Sequence, residues 1–395
     1  MIAANILDLL LGLVLLVLAG EGFRDGLGRS LTTILGMAAG AVAGVLLIPL
    51  VAAWIPAPLL RTIAVIAVAI GLLVAGHAVG SAIGGLLRRD EDERPLGLLG
   101  RIAGAALNLV AASLVVALVA GGVGALGIPV LSQATAQSRL LGIIDAITPA
   151  PLDQALARVR GTILEEGLPA LGGSPGGVAT SPGAPDVPTD TDPWQRAGAS
   201  VVRITGTAYA CGQNQSGTGF AVAPERILTN AHVVAGVEAP VVEAPNGQAL
   251  EARVVAFDPQ RDLALLAVPG LELAPLAVDE GLEVGDTGAV EGYPYGGPFS
   301  SSAARVLAIS NERIPDVGGG GSSRREIYTL AADIAPGNSG GPLLAADGEV
   351  AGVVFARGAE DPSLGYALTP VEFAGLVDSA AGLQAAVSSG SCTPG

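Results

Sequence analysis

Lysine is missing from this chain of 395 residues, so all 20 basic residues are arginine, and histidine and cysteine occur only twice each. The arginine-only usage goes with an abundance of Ala, Gly and Val, a compositional bias from which no function follows. Charged residues make up 14% of the chain and the formal net charge is −16. Such an acidic balance argues against nucleic acid as a partner. Cys211 and Cys392 lack the near-neighbour spacing of a metal site. They are either two separate buried thiols or one disulfide. A disulfide would close a loop of roughly 180 residues, worth about 5 kcal/mol at most in the chain-entropy model, and would need an oxidising compartment. No residue pattern calls for a metal or a cofactor.

Apolar sequence, by contrast, is plentiful. Four stretches approach the ~20 residues a helix needs to cross a bilayer, at about Ile2–Leu18, Leu31–Ala53, Thr62–Val79 and Ile102–Val123. The first lacks a basic leader and three more follow, so it is expected to stay as a span rather than be removed as a signal peptide. Gly36, Gly40 and Gly44, spaced by four, favour close helix packing and a compact bundle. Arg24 and Arg29 follow the first span, and Arg88, Arg89, Arg94 and Arg101 follow the third, whereas only Arg61 lies between the second and third. The positive-inside rule then places the first and third loops in the cytoplasm and everything after Val123 outside. His77, within the third span, is expected to be a packing or interfacial histidine, since no carboxylate neighbours it in sequence.

The organisation expected is a membrane domain at residues 1–128, an amphipathic helical segment at 129–166, a linker at 167–198 and a soluble domain at 199–395. The segment carries Leu140, Leu141, Ile143 and Ile144 on its apolar side. The Pro/Gly/Ser/Thr-rich linker has too little apolar content for a core and is expected to be flexible. Beyond it, ten short Val/Ile/Ala-rich runs alternate with turn residues, from Ser200–Thr207 to Gly365–Leu368, which suggests a sandwich or a pair of barrels. A last helix follows the start signal Thr369-Pro370.

Chemistry enters with His232, the only histidine in that half. Gly337-Asn338-Ser339-Gly340-Gly341-Pro342 offers a hydroxyl that needs a base, and Asp262 offers a carboxylate to orient the imidazole. Asp258 competes for that role, but Pro259 after it suggests a turn. Glycines around Ser339 would let backbone N–H groups converge on an oxyanion, with Gly337, Asn338 and Ser339 as the candidate positions.

With Ser216-Gly217-Thr218-Gly219-Phe220, Thr229-Asn230-Ala231-His232-Val233, Asp262-Leu263-Ala264-Leu265-Leu266 and Gly365-Tyr366-Ala367-Leu368, these segments resemble the chymotrypsin-fold, HtrA-type serine proteases from about residue 200 to 380. The resemblance implies an all-β double barrel, with His232 as base and acid, Asp262 as orienter and Ser339 as nucleophile; the apolar stretches add an expected four-span α-helical bundle before it. It also implies Asp333, Phe355, Ala356, Arg357 and Gly365 as substrate-binding positions. Asp333 is either a pocket carboxylate for basic side chains or an ordinary strand-end carboxylate. HtrA proteases usually carry a PDZ domain after the protease, whereas this sequence runs to Gly395 and four spans are expected before the protease. That arrangement is similar to the membrane-anchored, acid-resistance (MarP-like) serine proteases of actinobacteria, whose N-terminal part belongs to the colicin V production (CvpA) family. The likeness implies a Cys211–Cys392 bond, protein or peptide substrates in the cell envelope, a lipid bilayer as surroundings, and a role in acid or oxidative stress. Because a histidine base works only when neutral, proteolysis should weaken on acidification. The alternative is a membrane channel or scaffold whose protease-like domain only binds peptides.

Overall fold

The computed structural model describes residues 2–54, 58–87, 97–124, 129–149, 152–153, 155–157, 168–208 and 213–391. The expected Cys211–Cys392 bond, the loop arginines Arg88, Arg89 and Arg94, and the end of the amphipathic segment lie outside the described residues. Contacts divide the chain into two units, Met1–Gly122 with Ser138–Leu152, and Val123–Gln137 with Asp153–Gly395.

The helices in chain order are α1 (Ile2–Trp54), α2 (Pro58–Leu87), α3 (Leu98–Gly124), α4 (Pro129–Ala136) and α5 (Arg139–Ile147). Within α1, Gly26 takes φ 72°, so the helix is two segments joined at a kink. The first two expected spans fall on either side of it. Among the described residues, two stretches are long and apolar enough to cross a membrane, Ala3–Gly44 and Leu98–Gly121, and Gly71–Leu86 is a shorter apolar helix. The small-residue stripe has a visible use. A Cβ on Gly36 would lie 2.2 Å from the Gly76 carbonyl oxygen, and one on Gly40 2.3 Å from that of Leu72, so α1 and α2 approach backbone to backbone. His77 has a carboxylate neighbour distant in sequence: an oxygen of Glu21 on α1 lies 3.9 Å from its Nε2. Ser138 caps α5 by accepting from the Leu141 N–H, and Asp8 accepts from the Arg139 and Leu140 N–H groups.

The second unit continues with β1 (Ala170–Leu171), α6 (Asp192–Gly198), β2 (Val201–Ala208), β3 (Gln213–Ala223), β4 (Arg226–Thr229), α7 (Ala231–Val234), β5 (Val241–Glu243), β6 (Ala249–Glu251), β7 (Arg253–Asp258) and β8 (Leu263–Ala267). After these come β9 (Thr287–Gly292), β10 (Ser300–Pro315), β11 (Ser322–Ala331), β12 (Pro342–Leu344), β13 (Val350–Gly358), β14 (Leu364–Leu368) and α8 (Pro370–Ser379). They form two seven-stranded sheets, ordered β6-β5-β2-β3-β4-β8-β7 and β1-β13-β12-β9-β10-β11-β14. All pairings are antiparallel except that of β1 with β13.

Strand periodicity explains why β8 reads as a continuous apolar run. Leu263, Leu265 and Ala267 face one hydrophobic cluster with Phe220, Phe355 and Tyr366, while Ala264 and Leu266 face a second with Ile204, Ile227 and Val254. Burying each of these large side chains contributes about 2 kcal/mol before conformational entropy is subtracted. The Pro/Gly-rich segment departs from its expected flexibility. Pro175 is buried and its carbonyl accepts from Thr329, Gly176 N–H bonds Glu312, and Ser181 N–H bonds Asp361. Low apolar content does not stop a segment from lying on a sheet that satisfies its polar groups.

Candidate active site

The site begins where β4 ends. Asn230 leads into the single turn α7, which carries His232 with only 6% of its surface exposed. Asp262 stands immediately before β8 in the left-handed region at φ 58° and is 2% exposed. Its Oδ1 accepts the His232 backbone N–H at 2.9 Å, and its Oδ2 lies 2.8 Å from His232 Nδ1. Asn230 Nδ2 donates to the Asp262 carbonyl at 2.8 Å, so both ends of the aspartate are tied to the histidine segment. An ionised carboxylate only accepts, so the proton sits on Nδ1 and the Nε2 lone pair is free to take another. Asp258, the competing acid, instead accepts the Gln260 and Arg261 N–H groups and closes the turn that Pro259 signalled.

Ser339 lies on the loop between β11 and β12 and is 2% exposed. Neither its Oγ nor His232 Nε2 has a hydrogen-bond partner among the described residues. Gly337 at φ 93° and Gly340 at φ 81° set the loop's path. A Cβ on Gly337 would meet the Tyr293 oxygen at 2.3 Å, and one on Gly340 would meet the Thr218 oxygen at 2.3 Å and Asn230 N at 3.0 Å. The serine loop therefore presses directly on the strand that delivers the histidine.

Thr218 is the organiser that sequence reasoning overlooked, though it lies in a quoted motif. Its N–H donates to the Ser339 carbonyl, its hydroxyl donates to the Gly337 carbonyl and accepts from Tyr293 N–H, and its own carbonyl accepts from Thr229. Among the candidate oxyanion positions, Asn338 spends its N–H on the Ala335 carbonyl at 3.0 Å, so it braces the loop. The N–H groups of Gly337 and Ser339 have no protein acceptor among the described residues.

The expected substrate-binding positions separate. Phe355 and Ala356 are buried within β13, and Arg357 stands at its partly exposed end. Its N–H donates to the Pro169 carbonyl at 3.0 Å, and Ala359 N–H donates to Leu171, so β1 covers that edge. Asp333 is exposed; its buried neighbour Ile334 packs against Gly365, 2.5 Å from where a Cβ would sit. Three carboxylates, Asp279, Asp347 and Glu349, bring oxygens within 4.8 Å of one another, and none of them belongs to the histidine or serine loops.

Burial shapes two further groups. Glu291 on β9, 1% exposed, has its carboxyl pushed up to about 8 by desolvation, with Ser301 pulling the other way. Arg325 on β11 is equally buried, and desolvation lowers its proton affinity below the usual arginine value.

Residues 217–353 match the family model of the trypsin-like peptidase domain, and residues 7–149 match that of the colicin V production protein. The C-terminal half is thus a trypsin-like serine peptidase attached to apolar helices. Over 396 aligned residues the whole chain is 34% identical to the serine protease Rv3671c of Mycobacterium tuberculosis, covering 98% of each. The chain belongs to the family of that protease, the MarP-like serine proteases, and is a serine endopeptidase. It is also 35% identical over 168 residues to a probable periplasmic serine endoprotease, DegP-like, of Halomonas elongata, covering 40% of this chain and 33% of that one. The crystal structure of the M. tuberculosis Rv3671c protease in its active form superposes with a TM-score of 0.51 at 36% identity, covering 57% of this chain and 95% of that one.

Proposed function

We propose that the chain is a membrane-anchored, extracytoplasmic endopeptidase that cleaves cell-envelope proteins through His232, Asp262 and Ser339, serving resistance to acid or oxidative stress. His232 Nε2 accepts the Ser339 proton as Oγ attacks the scissile carbonyl, and Asp262 stabilises the imidazolium that forms. The same nitrogen then protonates the leaving amine, and water repeats the sequence to release the acyl group. Gly337 and Ser339 N–H groups hold the oxyanion, a contribution of about 3 kcal/mol per donor. The single observation that carries this reading is the paired grip of Asp262 on His232, through Nδ1 and the backbone N–H together. A structural aspartate has no need to fix a tautomer.

Four spans, a barrel formed from each sheet and an outward-facing protease unit complete the reading. Its supports are the apolar stretches, the arginine asymmetry and the match to the colicin V production family. An outward position would also permit a Cys211–Cys392 bond. A fluorophosphonate probe tests the chemistry: the native chain should be labelled, and Ser339→Ala should not. Asp262→Asn should keep its fold and lose on the order of 10⁴-fold in kcat. A native chain that resists the probe would overturn the assignment.

A further inference from the structure

Asp262 sits on a turn that another side chain holds from behind. Arg325 crosses from β11 with 1% of its surface exposed. Its Nε donates to the Gln260 carbonyl at 2.6 Å, two residues before Asp262, and its Nη2 donates to the Pro315 carbonyl at 3.0 Å. Val317 N–H adds a bond to the Pro259 carbonyl, so the end of the β10–β11 hairpin grips residues 259 and 260. We propose that Arg325 is a positioning residue for proteolysis: its fork clamps the turn that presents Asp262, and its charge sets how far into acid the site stays active. This rests on the triad reading given above.

Two physical arguments lead there. A left-handed aspartate does not hold itself, and the surrounding bonds must over-determine it. A guanidinium withdrawn from water is costly, and an apolar side chain of similar volume would fill the space at lower cost. Its presence in a buried position points to a use for the charge. The carboxylates that face it are Asp262, Asp316, Glu372 and Asp258, and Asp262 acts on it most strongly. Asp316, Glu372 and Asp258 are partly open to solvent, and exposed Arg261 pairs with Asp258 and Glu372. Only Asp262 shares the burial of Arg325, so their mutual field is the least screened of the set. A fixed positive charge nearby opposes a second one on the imidazole, so removing it should ease protonation of the base.

The test uses the full chain in detergent and a peptide-amide substrate, with kcat and KM measured across pH. Arg325→Met should move the acid limb of kcat/KM upward by about half a pH unit or more, with kcat lowered and KM kept. Arg325→Lys should keep the parent's acid limb but lose kcat, because one ammonium does not reproduce the two-pronged donation. A folded, fluorophosphonate-reactive Arg325→Met whose limb coincides with the parent's overturns the inference. Should that variant not fold, Glu372→Gln decides the matter. Removing a carboxylate that competes for the same charge should move the limb to lower pH, and an unmoved limb overturns the inference. Failure of the parent itself to react with the probe would instead overturn the triad reading.

Discussion

Glu291 is a residue whose chemistry folding changes strongly. Its Oε2 has no partner among the described residues, and the carboxyl rises from an ordinary 4.5 to about 8. Folding therefore takes up a proton in the neutral range. The stability this group contributes is complete below about pH 4.5 and is lost as pH rises through about 8, with a slope of at most about 1.4 kcal/mol per pH unit. A group that adds stability on acidification suits the stress role proposed for the protease unit. Glu291→Gln should raise the melting temperature at pH 8, change it little at pH 4, and flatten the profile between them. Equal shifts at both pH values, read by calorimetry, would contradict this account.

Among the elements, β1 has the clearest functional consequence. It runs parallel to β13 at Ala170↔Arg357 and Leu171↔Gly358, on the strand expected to pair with substrate. An extended peptide that reaches this edge must displace it, because one N–H at Arg357 does not serve two carbonyls. Deleting residues 168–171 should raise kcat/KM for long peptides several-fold and leave short chromogenic amides nearly unchanged. No change for long peptides would show that substrate does not use this edge. A sequence pattern shows the linker's low apolar content but not a two-residue strand, whose bonds come from a partner almost 190 residues away. β5, β6 and β12 were missed because they have only three residues each. Ten longer strands were legible because each alternates or is buried on both faces.

For the whole molecule, the arginine distribution makes orientation the decisive question. Protease added to intact spheroplasts should digest the unit after Asp153 and spare the cytoplasmic loops. Full protection of that unit would reverse the proposed topology. Residues 7–149 match one family and 217–353 another, so the chain joins segments of two families. Gly36, Gly40 and Gly76 pack the first part, and the two apolar clusters around β8 pack the second.

The residue types and their order determined the class of chemistry here. The histidine of the C-terminal half, a serine in a glycine-rich loop and an aspartate before an apolar strand left few other uses for them. Local sequence could do this because each motif is short and the serine loop's backbone demands, positive φ at Gly337 and Gly340, are met by its own glycines. Only the folded chain decided which groups act from a distance. Thr218 became the hub of the serine loop, Arg325 reached Gln260 across 65 residues, and Glu291 lost its water. Such roles depend on which side chains meet in a buried space, and neither periodicity nor spacing along the chain encodes those meetings.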